Sequence, residues 1–320
     1  MRPKTQDSDQ GFALQFFVPP SPPPNVEFGA ASHQGLVRKT NEDHFGVFRR
    51  TRAHEILLSN LASDRAPLDG DETAIFGHVL TSYTLVVADG MGGAAAGETA
   101  SRVAIQEAFE LADRASSWVM RLRSVAAQQI EQRIQAYAGE IDRTLRAMGE
   151  ADPDLEGMGT TWTSASVVGW HVLVVQIGDS RAYLWREGKL RQVTHDQTLA
   201  QVLIDSGVPP AETRHARNIL TNSLGGRSEL VHPEIVHLRL EDGDRLLLCT
   251  DGLTRELADA DIAEVLARPT LPQVACDELI KLAVDHGGRD NITVVVAAIS
   301  GSDANDEGRN DEARMPPQAD

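Results

Sequence analysis

The sequence lacks features that several classes of protein require. Only two of its 320 residues are cysteines, Cys249 and Cys276, and both lie in apolar segments. Two such thiols provide no disulfide framework, so we expect them to be reduced core residues of a cytoplasmic protein. No Cys-x-x-Cys or His-x-x-x-His spacing occurs either. That absence argues against a zinc site.

A long apolar run and an excess of positive charge are also missing. The apolar stretch 11–18 is too short to span a bilayer, and it leads into prolines rather than a small-residue cleavage site. We therefore expect no membrane anchor and no signal peptide. The formal net charge of −17 argues against nucleic acid as a partner, because binding by counterion release needs a basic surface. The same charge repels phosphorylated substrates, so such a substrate would need a local cationic group.

Composition divides the chain into one domain and two tails. Residues 1–28 are predicted to form a disordered Pro-rich segment, because 19–24 reads Pro-Pro-Ser-Pro-Pro-Pro. Residues 301–320 are polar and acidic, which predicts a disordered tail. The intervening residues 29–300 are long enough to bury a substantial core, with a solvated insertion predicted at about 49–82.

Three aspartates share one setting, at the end of an apolar, strand-like run. A carboxylate in that position can be held rigidly, and a following glycine lets a metal or phosphate approach the backbone closely. A single strand-Asp-Gly is more often a simple turn, but three such sites favour a metal centre. All the candidate ligands are oxygens, which favours a hard ion such as Mg²⁺ or Mn²⁺. They are Asp89 (before Gly90), Asp251 and Asp290, with the acidic pair Glu42 and Asp43 upstream.

Six short motifs then follow one another along the chain. They are Gly35-Leu-Val-Arg38 with Asn41-Glu42-Asp43, Asp89-Gly-Met-Gly-Gly93, Gly159-Thr-Thr161, Gly178-Asp-Ser-Arg-Ala-Tyr183, Thr250-Asp-Gly-Leu253 and Arg289-Asp-Asn-Ile-Thr293. In this order they resemble the metal-dependent Ser/Thr protein phosphatases of the protein phosphatase 2C-like (PPM) family, in their bacterial form. One such motif is weak, but the ordered set covers about residues 29–299 and is highly specific.

The resemblance implies an α+β fold, a four-layer α-β-β-α sandwich in which helix pairs flank two central antiparallel sheets. It also implies a flap at about 197–226 beside the active site. The apolar periodicity is compatible with this fold, and it shows no strict β-α-β alternation of the doubly wound type. It predicts helices at 56–61, 98–112, 117–148, 197–206, 259–267 and 271–285, and strands at 161–168, 171–176, 181–185 and 292–299.

The resemblance further implies a two-metal site that uses Mn²⁺ or Mg²⁺, with a weaker third ion in some members. Asp89 would bridge two ions, and the carbonyl of Gly90 would ligate the second. Asp251 and Asp290 would complete the carboxylate set of the first ion. Glu42 and Asp43 would hold waters bound to the metals.

The implied activity is hydrolysis of phosphoserine and phosphothreonine in proteins, by a water activated between the two ions. Arg38 would bind the substrate phosphate, because a planar guanidinium matches two phosphate oxygens. The implied partners are phosphoproteins and a bacterial Ser/Thr kinase whose action the enzyme would oppose.

Two departures from the family pattern affect this interpretation. Asp179 would either contribute to a third ion or only cap a turn. A further acid often follows four residues after the aspartate of the Asp-Gly-Leu motif, but this position holds Arg255, so a third ion would bind weakly or use Glu256.

The second departure concerns proton transfer to the leaving group. Animal members often carry histidine after the first Asp-Gly, whereas this chain has Met91, which cannot donate a proton. The proton would then come from a metal-bound water or from another residue. By sequence the nearest candidate residues are His195, just before the predicted flap, and His215, within it.

Two other functions remain open on the sequence alone. A pseudophosphatase would bind phosphoproteins without turnover, although none of Arg38, Asp89, Asp251 and Asp290 is lost. A phosphohydrolase acting on nucleotides or small molecules is disfavoured, because the chain has no P-loop or dinucleotide-type glycine motif.

Overall fold

The computed structural model describes residues 23–52, 80–114, 127–226 and 231–301. The predicted helix at 56–61 lies outside these ranges, as do almost all residues of the two predicted tails. None of the helices in the described ranges is both long and apolar enough to cross a lipid bilayer.

Strands and helices alternate irregularly along the described chain. The strands are β1 (Asn25–His33), β2 (Asp43–Arg52), β3 (Leu80–Met91), β4 (Gly159–Thr160), β5 (Trp162–Val168), β6 (His171–Ile177), β7 (Arg181–Arg186), β8 (Lys189–Gln192), β9 (Leu224–Gly225), β10 (Glu234–Arg239), β11 (Arg245–Cys249) and β12 (Ile292–Ser300). The helices are α1 (Ala94–Arg114), α2 (Ala127–Ala151), α3 (Leu199–Asp205), α4 (Asp251–Glu256), α5 (Asp259–Ala267) and α6 (Pro272–Asp285).

The strands form two sheets in which every described pairing is antiparallel. One sheet has the order β1-β12-β11-β7-β8. The other has the order β10-β6-β5-β3-β4-β9, with β2 paired to β3. Alternating residues of β11 serve two cores, because Leu246 and Leu248 pack between the sheets while Leu247 and Cys249 pack under the outer helices. A continuous apolar run is what a strand buried on both faces requires.

Helices cover the outer face of each sheet. Leu145 of α2 packs with Ile177 and Leu224 on the seven-stranded sheet. Ile262 of α5 and Leu279 of α6 pack against the five-stranded sheet. The layers are therefore helix, sheet, sheet and helix, and the predicted α-β-β-α sandwich is confirmed.

Strand pairing moves two of the predicted boundaries. β1 begins at Asn25, which pairs with Ser300, so residues 25–28 belong to the sheet and not to the Pro-rich segment. The hairpin of β2 and β3 stays paired as far as Arg52 and Leu80, so the predicted insertion is narrower than 49–82. Hydrophobic patterning misses these ends because the pairing continues where the side chains become polar.

The two long helices differ from their predicted bounds. Their described parts are 94–114 and 127–151, so α1 begins four residues before its predicted start and α2 ends three residues after its predicted end.

The ends of strands from both sheets meet at one edge of the sandwich. β3 runs on to Met91, because Gly90 and Met91 pair with β4, and Asp89 is therefore a strand residue rather than the first residue of a turn. The ends of β3 and β11 and the starts of β2 and β12 bring the predicted acidic residues to this edge.

Candidate functional site

A cavity of about 610 Å³ opens at the edge where these strands end. Its described lining is strongly charged and also includes backbone of the Gly90–Gly93 turn and residues of the predicted flap, such as Asn218 and Ser223. The charged lining residues are five acids, Glu42, Asp89, Asp179, Asp251 and Asp290, and two arginines, Arg38 and Arg255. The structure thus brings together most of the residues that the sequence predicts for the site.

Asp89 is fixed by its backbone. Its N–H donates to Oγ1 of Thr161 at 2.9 Å, and its carbonyl accepts from the Thr161 N–H at 2.9 Å. The hydroxyl of Thr160 donates to the same carbonyl, also at 2.9 Å. The Gly-Thr-Thr motif therefore holds the strand that carries Asp89, which leaves the half-buried carboxylate to face the cavity.

Gly90 is required by the packing of the chain itself. A side-chain Cβ at this position would overlap the carbonyl of Gly97 in α1 and would lie 2.7 Å from the carbonyl oxygen of Glu42. The N–H of Gly90 donates to that Glu42 oxygen at 3.2 Å. The sequence predicted that an ion or phosphate would approach the backbone of Gly90. In the structure, the helix α1 approaches it closely on one side.

Asp43 lies behind the cavity and not in its described wall. Its Oδ2 accepts from the hydroxyl of Thr250 at 2.8 Å, and the same hydroxyl accepts from the N–H of Thr293 at 3.0 Å. Asp43 therefore supports the junction between β11 and α4, from which Asp251 projects. Glu42 reaches the cavity wall, and the involvement of Asp43 with metal-bound water stays a prediction.

Asn291 connects the loops around the site, a role that the sequence analysis did not assign. Its Oδ1 accepts from the N–H of Glu42 at 2.9 Å, and its Nδ2 donates to the carbonyls of Gln34 and Thr40, each at 2.8 Å. These bonds hold the loop that carries Arg38 against the residue next to Asp290. The motif Arg-Asp-Asn contained the signal, since a buried amide beside an acid needs several partners.

Two arginines share the carboxylate of Asp290. Arg38 contacts it through Nε, 2.7 Å from Oδ1, and through Nη2, 2.9 Å from Oδ2. Arg255 contacts Oδ2 through Nη1 at 2.6 Å, and its Nη2 is paired with Asp251. Arg255 therefore points into the site and not away from it.

Glu256 takes no part in the cavity. Its side chain is 2% exposed, and it accepts from the backbone N–H of Arg289 at 3.0 Å and from Nη1 of Arg289 at 2.9 Å. The prediction that Glu256 could replace the missing acid at position 255 is wrong, because both of its oxygens hold the loop before Asp290.

Asp179 lies in the turn between β6 and β7 and is buried. Gly178 precedes it with a φ of +104°, a conformation that side chains rarely adopt. The N–H of Gly178 donates to Oε1 of Gln197 at 2.8 Å, and the same oxygen accepts from Nδ2 of Asn222 at 2.7 Å. Gln197 thus ties the Asp179 turn to the predicted flap, which sequence patterning alone did not indicate.

Burial and mutual repulsion raise the pKa of five carboxyl groups, those of Glu42, Asp43, Asp89, Asp179 and Asp251, with burial as the largest cause in each. The pKa of Asp251 rises to about 6, that of Asp43 to about 7 and that of Asp179 to about 8. The pKa of Asp89 rises well above its usual range, and the strongest repulsion comes from Asp43. Arg255 opposes the rise at Asp251 and Asp179. A bound cation would relieve this concentration of negative charge.

The donor set fits a hard divalent cation that keeps part of its water shell. Among the described residues, no three acidic, histidine or cysteine side chains converge closely enough to hold one ion. Mg²⁺ commonly takes only one or two protein carboxylates and retains several waters, so this spacing suits it and does not suit a closed zinc cage. Oδ1 of Asp251 and Oδ1 of Asp43 are buried with no hydrogen-bond partner in the described structure. Such oxygens cost free energy unless a cation or a donor satisfies them.

The two histidines considered as general acids do not line this cavity. The Nε2–H of His195 donates to Oδ2 of Asp205 in α3 at 2.8 Å, and the backbone N–H of His195 donates to Oε2 of Glu234 at 2.9 Å. His215 is exposed on a short turn of the predicted flap. Neither is among the described residues of the cavity wall, whereas Met91 is.

A second cavity, of about 420 Å³, lies between the helices α1 and α2 and the seven-stranded sheet. Its described walls are mostly apolar and carry no acidic side chain. It therefore offers no ligands for a hard cation, and the chemistry belongs to the acidic cavity.

Comparison with known proteins identifies relatives of the same architecture. A family model described as protein phosphatase 2C matches residues 68–281. The serine/threonine protein phosphatase PstP of Mycobacterium tuberculosis is 36% identical over 277 residues, a match that covers 86% of this chain but only 45% of PstP. The chain thus spans less than half the length of that relative.

Two further matches are close to full length on the relative's side. The serine/threonine phosphatase stp of Listeria innocua is 33% identical over 267 residues, which cover 82% of this chain and 92% of the relative. A crystal structure of the catalytic domain of PstP in complex with two manganese ions aligns with a TM-score of 0.63 and 33% identity. That alignment covers 86% of this chain and 99% of the other.

Proposed function

Because the chain belongs to the protein phosphatase 2C family, we propose that it is a protein-serine/threonine phosphatase that works with two Mn²⁺ or Mg²⁺ ions. Its substrates would be phosphoserine and phosphothreonine in proteins. The cellular role that follows is to oppose a Ser/Thr kinase in the cytoplasm, with a catalytic domain that extends over residues 25–301.

One observation carries this proposal. Asp89, Asp251 and Asp290 come from distant parts of the chain and meet in a single cavity whose acids repel one another. Oδ1 of Asp251 has no hydrogen-bond partner there in the described structure. Acids clustered in this way lower the stability of the fold. Such a cluster is expected where it binds a cation.

Each residue would have a distinct task. Asp89 and the carbonyl of Gly90 would hold the ions together with Asp251 and Asp290, and Glu42 would lie at their edge. When bound, such ions neutralise charge on phosphoryl oxygens and lower the pKa of water. Arg38 would orient the phosphoryl group, since its guanidinium presents two parallel N–H donors to two oxygens.

The first experiment measures phosphate release from a phosphothreonine peptide with Mn²⁺, with Mg²⁺ and with EDTA, beside the variant Asp89→Asn. We expect release that depends on metal and is lost both in EDTA and in the variant. No release by a folded chain under any metal would contradict the proposed activity and would favour a pseudophosphatase that only binds phosphoproteins.

Replacing Arg38 with alanine tests its role in binding. We expect Arg38→Ala to raise KM for the phosphopeptide by about tenfold or more with a smaller change in kcat. The substitution removes charge-assisted hydrogen bonds to phosphate and keeps every carboxylate of the proposed ion site, although Asp290 loses its contact with Arg38. Steady-state kinetics at saturating Mn²⁺ would measure both constants. A loss confined to kcat would show that Arg38 acts in the chemical step instead.

A further inference from the structure

We propose that Arg255 is a second phosphate-binding residue, which forms with Arg38 a two-arginine clamp for the phosphoryl group of the substrate. The proposal rests on the proposed function, because it assigns one more residue to the same cavity. Nothing in the resemblance to the family assigns this role, since an acid is the frequent residue at this position.

The two guanidinium groups are neighbours because they share an oxygen. Oδ2 of Asp290 accepts from Nη2 of Arg38 at 2.9 Å and from Nη1 of Arg255 at 2.6 Å. Asp290 therefore places both cations side by side in the cavity wall. Arg38 comes from the loop before β2 and Arg255 from α4, so the pair exists only in the folded chain.

Arg255 is held from a second side by Asp251, which lies one helical turn earlier in α4. The side chain of Arg255 is nevertheless 36% exposed. A guanidinium carries five N–H donors, so donors remain for a ligand after contacts to two carboxylates. Because the side chain is already tethered, a phosphate that binds it loses less rotamer entropy than with a free arginine.

The acids of the cavity wall repel an anionic substrate wherever a bound ion does not offset them. Five of the described wall residues are acidic and only two are basic. A phosphoryl dianion is repelled by these acids where no ion lies between them, and each arginine is itself paired with at least one carboxylate. Two adjacent guanidinium groups present several N–H donors to the phosphoryl oxygens, which compensates this repulsion at the point of contact.

The test compares Arg255→Gln and Arg255→Lys with the unchanged chain at saturating Mg²⁺. Kinetics on a phosphothreonine peptide gives KM and kcat, and calorimetry gives Kd for the same peptide carrying a non-hydrolysable phosphonate. We expect Arg255→Gln to raise both KM and Kd by about tenfold or more, with a smaller change in kcat. The KM and Kd of Arg255→Lys should lie between those of the unchanged chain and those of Arg255→Gln, because lysine keeps the charge and loses the planar guanidinium.

The exposed residue Arg191 of β8 provides the matched control. Arg191→Gln removes the same charge outside the cavity and should leave KM and Kd unchanged. The activating concentration of Mg²⁺ is measured for every variant, because Arg255 also contacts two candidate ion ligands. An Arg255→Gln variant with unchanged Kd would overturn the clamp, as would a rise in Kd that disappears when more Mg²⁺ is supplied.

The two proposals can fail separately. If the unchanged chain binds the phosphonate peptide but releases no phosphate, the phosphatase activity is contradicted while the effect of Arg255→Gln on Kd still decides the clamp. If the unchanged chain hydrolyses the peptide and Arg255→Gln has wild-type KM and Kd, only the clamp is overturned. If the unchanged chain does neither, both proposals are overturned.

Discussion

Asp251→Asn is expected to lower kcat by about a thousandfold or more, because several kcal/mol of charge stabilisation at the reacting phosphoryl group depends on the ions that this carboxylate would hold. The substitution keeps the shape of the side chain and removes its charge. Burial is the main reason that the pKa of Asp251 is raised to about 6, and repulsion by Asp290 adds to it while Arg255 opposes it. The metal-free variant is therefore relieved of a buried charge whose cost exceeds what the ion pair with Arg255 returns. We therefore expect its melting temperature in EDTA to be equal to or above that of the unchanged chain.

Asp277→Asn is the control for this variant, since Asp277 is exposed on α6 and makes its hydrogen bond to Gln273 of the same helix. It should retain wild-type kcat. Kinetics at saturating Mn²⁺, combined with thermal unfolding in EDTA, separates loss of function from loss of fold. Wild-type kcat in a folded Asp251→Asn variant would remove Asp251 from the ion ligands.

The positions of Asp89, Asp251 and Asp290 could be predicted because each sits next to an apolar strand. A buried strand has a strong signature in the sequence, and its end fixes where the next polar side chain goes. The order of the six motifs then indicated the α-β-β-α sandwich. The first inference uses information that lies within a few residues of each aspartate, whereas the second uses the family resemblance carried by the order of the motifs over about residues 29–299.

The partners of these acids could not be predicted in the same way. Arg38 and Asp290 are 252 residues apart in sequence, and no local pattern records their contact. The pairing of Asp251 with Arg255 did leave a signal, the spacing of four residues that suits an ion pair on a helix. The helix α4 has only six residues, however, which is too short for hydrophobic periodicity to reveal it.

The two histidines show how little nearness in sequence says about a loop. His195 precedes the predicted flap and His215 lies within it, but neither is among the described residues of the cavity wall. Loop residues can point in any direction, and the structure gives His195 a partner in α3 instead. In a loop, the tertiary contacts of a side chain decide its role, and the neighbouring residues in the sequence do not indicate these contacts.

Gly252→Ala is expected to destabilise the protein by about 3 kcal/mol, the upper end of the usual cost of overpacking. A Cβ at this position would overlap the carbonyl oxygen of Asn291 and lie 2.9 Å from its carbonyl carbon. Backbone atoms on both sides make the contact, so a side-chain rotation cannot relieve it. Because Asn291 also holds the loop that carries Arg38, phosphatase activity should fall together with stability.

Gly139→Ala provides the matched comparison, because Gly139 lies in α2 and a Cβ there meets no atom within 4 Å. Alanine in a helix interior should stabilise the fold by roughly 0.5–1 kcal/mol. Urea unfolding in EDTA would measure the free energy of unfolding of both variants. Relative to the unchanged chain it should fall for Gly252→Ala and rise for Gly139→Ala. If Gly252→Ala instead unfolded like Gly139→Ala, the close approach between α4 and the Asn291 carbonyl would be wrong. The spacing of Asp251 and Asp290, which depends on that approach, would then be wrong as well.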